Sequence, residues 1–176
     1  MTDLDRAIGA IIASLRSGGT LYACGNGGSD AHAGHLVAEL IGRYAYDRPP
    51  LRAVHLSSGG PVGSCIANDY GWPNVYARQV AALCEPPWGR EADETPHHVL
   101  VVFSTSGQSS NIVNAANACR GQVVAFLGPG PLGTIIETIG RIEVHSTATT
   151  TPAIQEQHQE WVHAVARRVE EAMWPR

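Results

Sequence analysis

The chain of 176 residues has no lysine, and all 12 of its basic residues are arginine. This absence excludes enzymes that form a Schiff base through lysine, enzymes that anchor pyridoxal phosphate on lysine, and phosphate-binding loops of the P-loop type. The formal net charge is -4, and no block of basic residues is present. We therefore expect no direct interaction with nucleic acid.

Cysteine is also scarce. The four cysteines are far apart and form no CxxC pair: Cys24, Cys65, Cys84 and Cys119. In a chain of this size they are expected to be reduced, mostly buried thiols, which favours a cytoplasmic protein. No run approaches the roughly 20 apolar residues that a membrane-spanning helix needs, and the first residues lack the basic region and long apolar stretch of a signal peptide. We expect no membrane partner.

Apolar residues make up 44% of the chain, which is enough for the core of one domain over residues 1–176. Short apolar runs predict five strands, at 20–24, 51–56, 98–104, 122–128 and 141–146. Helical patterns follow them, near 30–43, 60–68, 73–84, 110–119, 131–139 and 153–172. This alternation predicts an α/β fold: a parallel five-stranded sheet flanked by helices in a flavodoxin-like, three-layer arrangement.

Two further segments complete the predicted organisation. An amphipathic helix precedes the first strand, with Thr2 as its cap, and its apolar stripe is formed by Ile8, Ile11, Ile12 and Leu15. The segment 84–98 is polar and rich in proline, which is typical of a loop.

The stretch STSGQSSN (104–111) follows the third predicted strand and precedes a helix. Its hydroxyl groups, a glycine that allows a tight turn, and the free N–H groups of a helix start are together able to hold a phosphate without a lysine. The alternative is a turn rich in serine that does no more than cap the helix. Its position after a central strand favours the phosphate site.

The stretch GNGGS (25–29) is a second turn of this kind, after the first strand. It matches neither the GxGxxG pattern nor the P-loop pattern. Three glycines predict a positive φ or a close approach of the backbone to a ligand. The alternative is a tight strand-to-helix turn that ends with Ser29 as the helix cap.

The helix after this turn carries His35 and Glu39 one turn apart, beside an apolar face of Ala33, Leu36, Val37, Leu40 and Ile41. Such a pair can bind a metal or move a proton, although it can also be a solvated polar pair. A second polar row stands on the last helix, at Gln155, Gln159 and His163. His158 falls off this row and is expected to be structural or exposed.

Four stretches together resemble the phosphoheptose isomerase family, which are sedoheptulose 7-phosphate isomerases built on the sugar isomerase (SIS) domain. They are CGNGGSDAHAGHLVAELIGRY (24–44), CIANDYG (65–71), STSGQSSNIVNA (104–115) and IQEQHQEWVH (154–163). The STSG-type loop is shared by SIS domains in general. The His-x3-Glu-x3-Arg segment and the Gln-x7-His helix are similar to the heptose branch, so that the resemblance implies a single SIS domain.

The resemblance implies a role for each matching residue. The catalytic pair is Glu39 and His163. The metal ligands, usually of one zinc per subunit, are His35, Glu39, Gln155 and His163. The substrate contacts are Asn26, Gly27, Gly28, Ser29, Arg43, Asp69, Ser104, Thr105, Ser106, Ser109 and Gln155. Arg43 follows Glu39 by one turn and is expected to orient its carboxylate, whereas His32 receives no role.

The implied reaction converts sedoheptulose 7-phosphate into D-glycero-D-manno-heptose 7-phosphate. Glu39 is expected to be the base and His163 the acid that forms the enediol. Gln155 and His163 lie ~12 Å apart along the helix. Both can therefore bind one ion only if their side chains are extended and converge on it. The family resemblance implies a homotetramer with active sites between subunits.

Several features depart from the family pattern and bear on the choice of sugar. The N-terminus is shorter, the 84–98 loop is longer, Gln108 replaces an asparagine, and Pro152 lies just before Gln155. Two rivals remain open beside the isomerase. One is a non-catalytic SIS tetramer that binds a replication initiator protein, and the other is a sensor or isomerase for a related sugar phosphate. The retained pair of Glu39 and His163 favours the enzyme.

Overall fold

The computed structural model describes residues 1–84, 97–133 and 140–176. Five parallel strands form one sheet in the order β2-β1-β3-β4-β5. They are β1 (Leu21–Cys24), β2 (Ala53–His55), β3 (Val99–Ser104), β4 (Gln122–Leu127) and β5 (Gly140–His145). This is the flavodoxin-like strand order. The predicted α/β fold is confirmed, and each strand lies within two residues of its predicted place.

The helices of the described ranges are α1 (Asp3–Arg16), α2 (Gly28–Ile41), α3 (Gly60–Tyr70), α4 (Ala77–Leu83), α5 (Ser110–Ala118) and α6 (Thr151–Met173). The helix expected at 73–84 is in fact a short 3-10 turn (Trp72–Asn74) followed by α4, because Pro73 sits in the turn. The helix predicted at 131–139 and the loop predicted at 84–98 lie, except for their ends, outside the described residues. Within the described ranges, no helix is long and apolar enough to cross a membrane.

The core lies in two layers, one on each face of the sheet. Alternate residues of a strand point to opposite faces, so Leu21 and Ala23 join one apolar cluster while Tyr22 and Cys24 join the other. The first cluster packs α1, α2 and α6 against the sheet, and the second packs α4 and α5. Every residue of β3 is buried, as expected of a central strand covered on both faces.

Local signals set the ends of the helices. Thr2 caps α1 through a capping box with Asp5, as the sequence indicates. Pro152 lies in the first turn of α6, where backbone N–H groups have no hydrogen-bond partner within the helix, so the missing N–H of proline costs nothing. The helix therefore includes Pro152 and begins at Thr151, ahead of the predicted start. The predicted apolar face of α2 is buried except for Ile41, which is 49% exposed. It is the last residue of the helix, beyond the edge of the core.

The four cysteines all lie in the described ranges and are thiols. Three are buried, and Cys65 is exposed on α3.

Candidate active site

The site lies where β1 and β3 end side by side. These neighbouring strands pair in parallel from Leu21 with Val99 to Cys24 with Val102. Each strand leads into a glycine turn and then into a helix, α2 after β1 and α5 after β3. Between β1 and β3 the chain order reverses direction across the sheet, and such switch points are where α/β folds bind ligands. The two predicted phosphate turns therefore meet at one edge.

In the first turn, after β1, no side chain caps the N–H groups at the start of α2. Its helix cap is Gly27, at φ +55° and with no side-chain cap, so the expectation of Ser29 as the cap is wrong. Ser29 instead lies buried in the first turn of α2. At position 28 a Cβ would come within 2.5 Å of Gln155 Nε2, so a larger residue there would displace the Gln155 side chain. The amide of Gln155 thus lies directly against the start of α2.

In the second turn, two serine hydroxyl groups accept hydrogen bonds from the backbone of the turn itself. Ser104 Oγ accepts a hydrogen bond from the N–H of Gly107 (3.0 Å), and Ser106 Oγ accepts one from the N–H of Gln108 (3.2 Å). Gly107 has φ +67°, which favours glycine. Ser109 occupies the cap position of α5 without bonding the helix through its side chain. The N–H groups at the start of α5 therefore keep their capacity to bind an anion.

A reciprocal amide pair joins the two turns. Asn26 Nδ2 donates to Asn111 Oδ1 (2.9 Å), and Asn111 Nδ2 donates to Asn26 Oδ1 (2.8 Å). Asn111 is almost fully buried at the second position of α5. Asn111 closes the hydroxyl-rich stretch 104–111, but no role was predicted for it from the sequence. The pair fixes the spacing between the two helix starts.

The predicted acid–base side chains lie farther along α2 and α6, which pack against each other. His35 Nε2 lies 3.0 Å from Glu39 Oε1. The rings of His35 and His163 meet edge to face, with centroids 5.2 Å apart, and the Tyr44 ring lies 5.9 Å from that of His163. The amide of Gln159 stands between the two imidazoles, with Nε2 3.0 Å from His35 Nδ1 and 3.0 Å from His163 Nε2.

Burial favours the neutral form of two groups beside the site. Burial lowers the pKa of His32, against the opposing effect of its hydrogen bond with Gln159. Burial also raises the pKa of the Cys24 thiol at the end of β1. Both groups are thereby held neutral at neutral pH, and Cys24 is not an activated nucleophile.

Two predicted site residues stand apart from these groups. Asp69 is exposed near the end of α3 and accepts hydrogen bonds from Asn68 and Cys65. Arg43 is exposed beyond the end of α2, and no hydrogen bond joins it to Glu39 in the part of the chain that the structure describes. The arginine that reaches Glu39 is Arg48, which donates to the Glu39 carbonyl at 2.6 Å.

The donor types at the site match zinc, which binds imidazole nitrogen and carboxylate oxygen. The arrangement of these side chains does not match a zinc site. Across residues 1–84, 97–133 and 140–176, no three His, Cys, Asp or Glu side chains are grouped closely enough to hold a metal. His35 faces Glu39, Gln159 separates His35 from His163, and Gln155 lies against Gly28. Zinc binding at these residues would therefore require the side chains to turn from their present partners.

Comparison with known proteins decides the family. Residues 1–128 match the model of the SIS domain. The chain is 39% identical to the phosphoheptose isomerase of Rhodospirillum rubrum over 95% of this chain and 84% of that protein. It is 42% identical to that of Streptomyces coelicolor over 93% and 67%. The chain belongs to the phosphoheptose isomerase family.

Solved structures of the family agree with the fold. A phosphoheptose isomerase from Francisella tularensis superposes with a TM-score of 0.82 at 29% identity, over 96% of this chain and 85% of that one. The enzyme from Neisseria gonorrhoeae gives 0.78 at 31% identity, with the same coverage. The predicted family is confirmed, and with it the predicted class of enzyme, an aldose–ketose isomerase.

The residues that sequence reasoning missed lie at helix–helix contacts. His32 had no role, yet its Nδ1 is 3.2 Å from Gln159 Oε1. Gln159 was visible as part of the polar row on α6, at a spacing of four from both Gln155 and His163. No local pattern showed that this row would face His35. A pattern on one helix does not specify which residues of another helix it meets.

Proposed function

We propose that the protein interconverts sedoheptulose 7-phosphate and D-glycero-D-manno-heptose 7-phosphate. The observation that carries the proposal is the placement of Glu39, His35 and His163 on two packed helices, α2 and α6, of which α2 starts at the turn after β1. A sugar phosphate fits this layout, because its phosphate suits the helix starts and its carbonyl end suits a carboxylate and an imidazole. The relatives are named phosphoheptose isomerases, which supports the same substrate class.

The proton transfers follow from these groups. Glu39 removes a proton from C1 of the ketose while His163 gives one to the C2 carbonyl oxygen, which yields an enediol. The O1 hydroxyl then loses a proton to the imidazole, and C2 receives the proton held by Glu39. One proton has moved from C1 to C2 and one from O1 to O2, so both residues return to their first state. The carboxylate of Glu39 is 20% exposed, which leaves it accessible to substrate.

Assays of Glu39→Gln and His163→Gln on sedoheptulose 7-phosphate test this proposal. Each variant keeps a polar side chain and removes one proton carrier, so kcat is expected to fall by about 10²–10⁴-fold. The matched control is Glu160→Gln, because Glu160 is an exposed carboxylate on α6, the helix of His163. This variant should keep wild-type activity. Near-normal turnover in both site variants contradicts the assignment, and a wild-type protein without turnover contradicts the proposed reaction.

We also propose one zinc ion per subunit, held by His35, Glu39, Gln155 and His163 after these side chains turn from their present partners. Bound there, zinc would polarise the substrate carbonyl. Metal analysis of the purified protein and of His35→Ala tests this. About one zinc per subunit that is lost in the variant supports it, and a metal-free active protein contradicts it.

We further propose a homotetramer in the cytoplasm. Exposed apolar side chains on and after α3 support contact between subunits: Val62, Tyr70 and Trp72 are each about half exposed or more. Such side chains gathered in one region are typical of an interface. Light scattering coupled to size-exclusion chromatography measures the mass directly, and a monomer at assay concentration contradicts the proposal.

A further inference from the structure

The side chains of Asn26 and Asn111 connect the two predicted substrate turns. Each amide donates a hydrogen bond to the oxygen of the other, over 2.9 Å and 2.8 Å. Asn26 lies in the turn after β1, and Asn111 is the second residue of α5, which follows the turn after β3. The two residues are 85 positions apart in the chain, so the fold itself makes this contact and joins the starts of α2 and α5.

The reciprocal geometry fixes the direction of both amides. If one amide alone turned by 180°, two oxygens and two N–H groups would face each other, and both hydrogen bonds would be lost. Asn111 is 1% exposed, so water cannot take the place of Asn26 as its partner. Asn26 is half-buried. The buried amide therefore determines the orientation of the more accessible one.

The backbone on both sides of Asn26 is held as well. The hydroxyl group of Tyr76, a buried residue, donates to the carbonyl of Gly25. The carbonyl of Asn26 accepts a hydrogen bond from the N–H of Ser29 (3.0 Å), which lies in the first turn of α2. With the backbone fixed in this way, the direction of the Asn26 side chain depends on Asn111.

The amide of Asn26 keeps hydrogen-bond capacity for a ligand. A carboxamide has two N–H donors and an oxygen with two lone pairs, and the pair uses one donor and one lone pair of each residue. Among residues 1–84, 97–133 and 140–176, none takes up the remaining N–H of Asn26. The pair is also neutral and lies between two helix starts with positive dipole ends, so it does not repel an anion as a carboxylate would.

We propose that Asn111 is a positioning residue for substrate binding, which directs the remaining N–H of Asn26 toward a sugar phosphate and keeps the starts of α2 and α5 aligned on it. This inference rests on the proposed function, which places a sugar phosphate at these turns. Asn111 is buried and acts through Asn26 without touching the substrate itself.

The first test is the variant Asn111→Leu, which keeps the size of the side chain and removes both hydrogen bonds. KM for sedoheptulose 7-phosphate should rise about 10-fold, the order expected for the loss of one hydrogen bond to the substrate. The value of kcat should change less than about threefold, because Glu39 and His163 lie farther along α2 and α6. Asn114→Leu is the matched control and should keep wild-type KM, since the amide of Asn114, also on α5, donates to the Pro73 carbonyl (3.0 Å), outside both turns.

A double-mutant cycle with Asn26→Leu tests whether Asn111 acts through Asn26. If it does, KM of the double variant should equal that of Asn26→Leu within about twofold, whereas independent effects would multiply. Stability should behave differently. Each single variant leaves one amide without its partner, but the double variant places two apolar side chains of similar size together and should be at least as stable as Asn111→Leu. If Asn111 served stability alone, KM would recover together with stability in the double variant.

Binding of inorganic phosphate separates this inference from the proposed function, because it needs no turnover. Phosphate should raise the urea midpoint of the wild type and of Asn114→Leu, and Asn111→Leu should need about 10-fold more phosphate for the same rise. A wild type that binds phosphate but does not convert sedoheptulose 7-phosphate refutes the proposed reaction alone. A wild type that does neither refutes both.

Two results overturn the positioning role while the proposed function stands. One is an active Asn111→Leu variant with KM within twofold of wild type, and the other is a double variant in which the two increases in KM multiply. Circular dichroism shows whether Asn111→Leu is folded. If it is not, Asn111→Ser, whose hydroxyl group is too short to reach Asn26, takes its place with the same expected rise in KM.

Discussion

At the scale of single residues, His158 is a histidine whose pKa the fold lowers strongly. Its ring is fully buried and lies beside the rings of His32, Phe103 and Trp161, with centroids 5.4–6.2 Å away. Burial, and to a smaller extent the neighbouring His32, lowers the pKa of His158 to about 4. Of the two placements expected from the sequence, the structural one is therefore correct and the exposed one is wrong.

This shift predicts a loss of stability in mild acid. The unfolded chain takes up a proton on His158 near its ordinary pKa of 6.5, whereas the folded protein does not until about pH 4. His158 contributes its full stability above pH 6.5, and that contribution is lost as the pH falls toward 4. The free energy of unfolding should fall by about 3 kcal/mol over this window because of His158.

Urea unfolding at pH 7.5, 6, 5 and 4.5 measures the effect, and His158→Phe is the comparison. Phenylalanine suits the aromatic surroundings and does not titrate, so the variant should show a shallower decline with acid. His32, whose pKa is also lowered by burial, is present in both proteins and cancels in the difference. Equal slopes in the two proteins contradict the prediction.

At the scale of elements, Glu170 ties the segment after α2 to the last helix. The Glu170 carboxylate is 2% exposed and accepts hydrogen bonds from the N–H groups of Tyr44 (3.0 Å) and Ala45 (2.9 Å) and from Arg48 Nε (3.2 Å). Arg48 in turn donates to the carbonyls of Glu39 and Leu40 at the end of α2. Burial raises the pKa of Glu170, but these donors outweigh it and hold the pKa below its usual value.

We predict that Glu170→Ala lowers the free energy of unfolding by about 3–5 kcal/mol, since Arg48 is left buried without its partner. The same variant should lower kcat, because the end of α2 that carries Glu39 and the segment that places Tyr44 beside His163 are both released. Urea unfolding and the isomerase assay measure the two effects. Glu171→Ala, its exposed neighbour, should change neither, and an equally stable Glu170→Ala would contradict this account.

The elements were predictable where the determining signal is local. Apolar runs predicted the strands to within two residues, and Thr2 marked the start of α1. Signals that depend on distant contacts were not readable. Arg43 has the helical spacing to reach Glu39, but α2 ends at Ile41, and Arg48 contacts its backbone after the chain turns back. The position of Gln159 within α6 does not distinguish it from the other polar residues of that helix. Its importance comes from its contacts with His32 and His35 on α2.

At the scale of the whole molecule, α6 contacts α2 from the start of α2 to the segment that follows it. Gln155 lies at the start of α2 beside Gly28, Gln159 meets His35 in the middle, and Glu170 binds the segment that follows α2. The sheet order places α2 beside the turn after β3. The predicted phosphate turns and the predicted proton-transfer groups thus lie on elements that contact one another, so we expect binding at the turns to stabilise the whole fold.

Ligand binding at the turns should therefore be measurable as an increase in the free energy of unfolding. A ligand that binds the folded chain alone raises the free energy of unfolding by RT ln(1 + [L]/Kd), about 2.7 kcal/mol at 100 times Kd. Sedoheptulose 7-phosphate should therefore raise the urea midpoint in proportion to the logarithm of its concentration, and inorganic phosphate should do so more weakly. The free sugar without phosphate should have little effect, because the helix starts offer N–H groups to an anion.

The double variant Thr105→Ala/Ser106→Ala removes two hydroxyl groups from the second turn and should lose most of this stabilisation, while its stability without ligand changes little, since Thr105 is half-buried and Ser106 is exposed. Ser17→Ala is the matched control, because Ser17 follows α1 at the opposite edge of the sheet. If the double variant is stabilised as strongly as the control, the phosphate binds elsewhere and the turn after β3 is a helix cap alone.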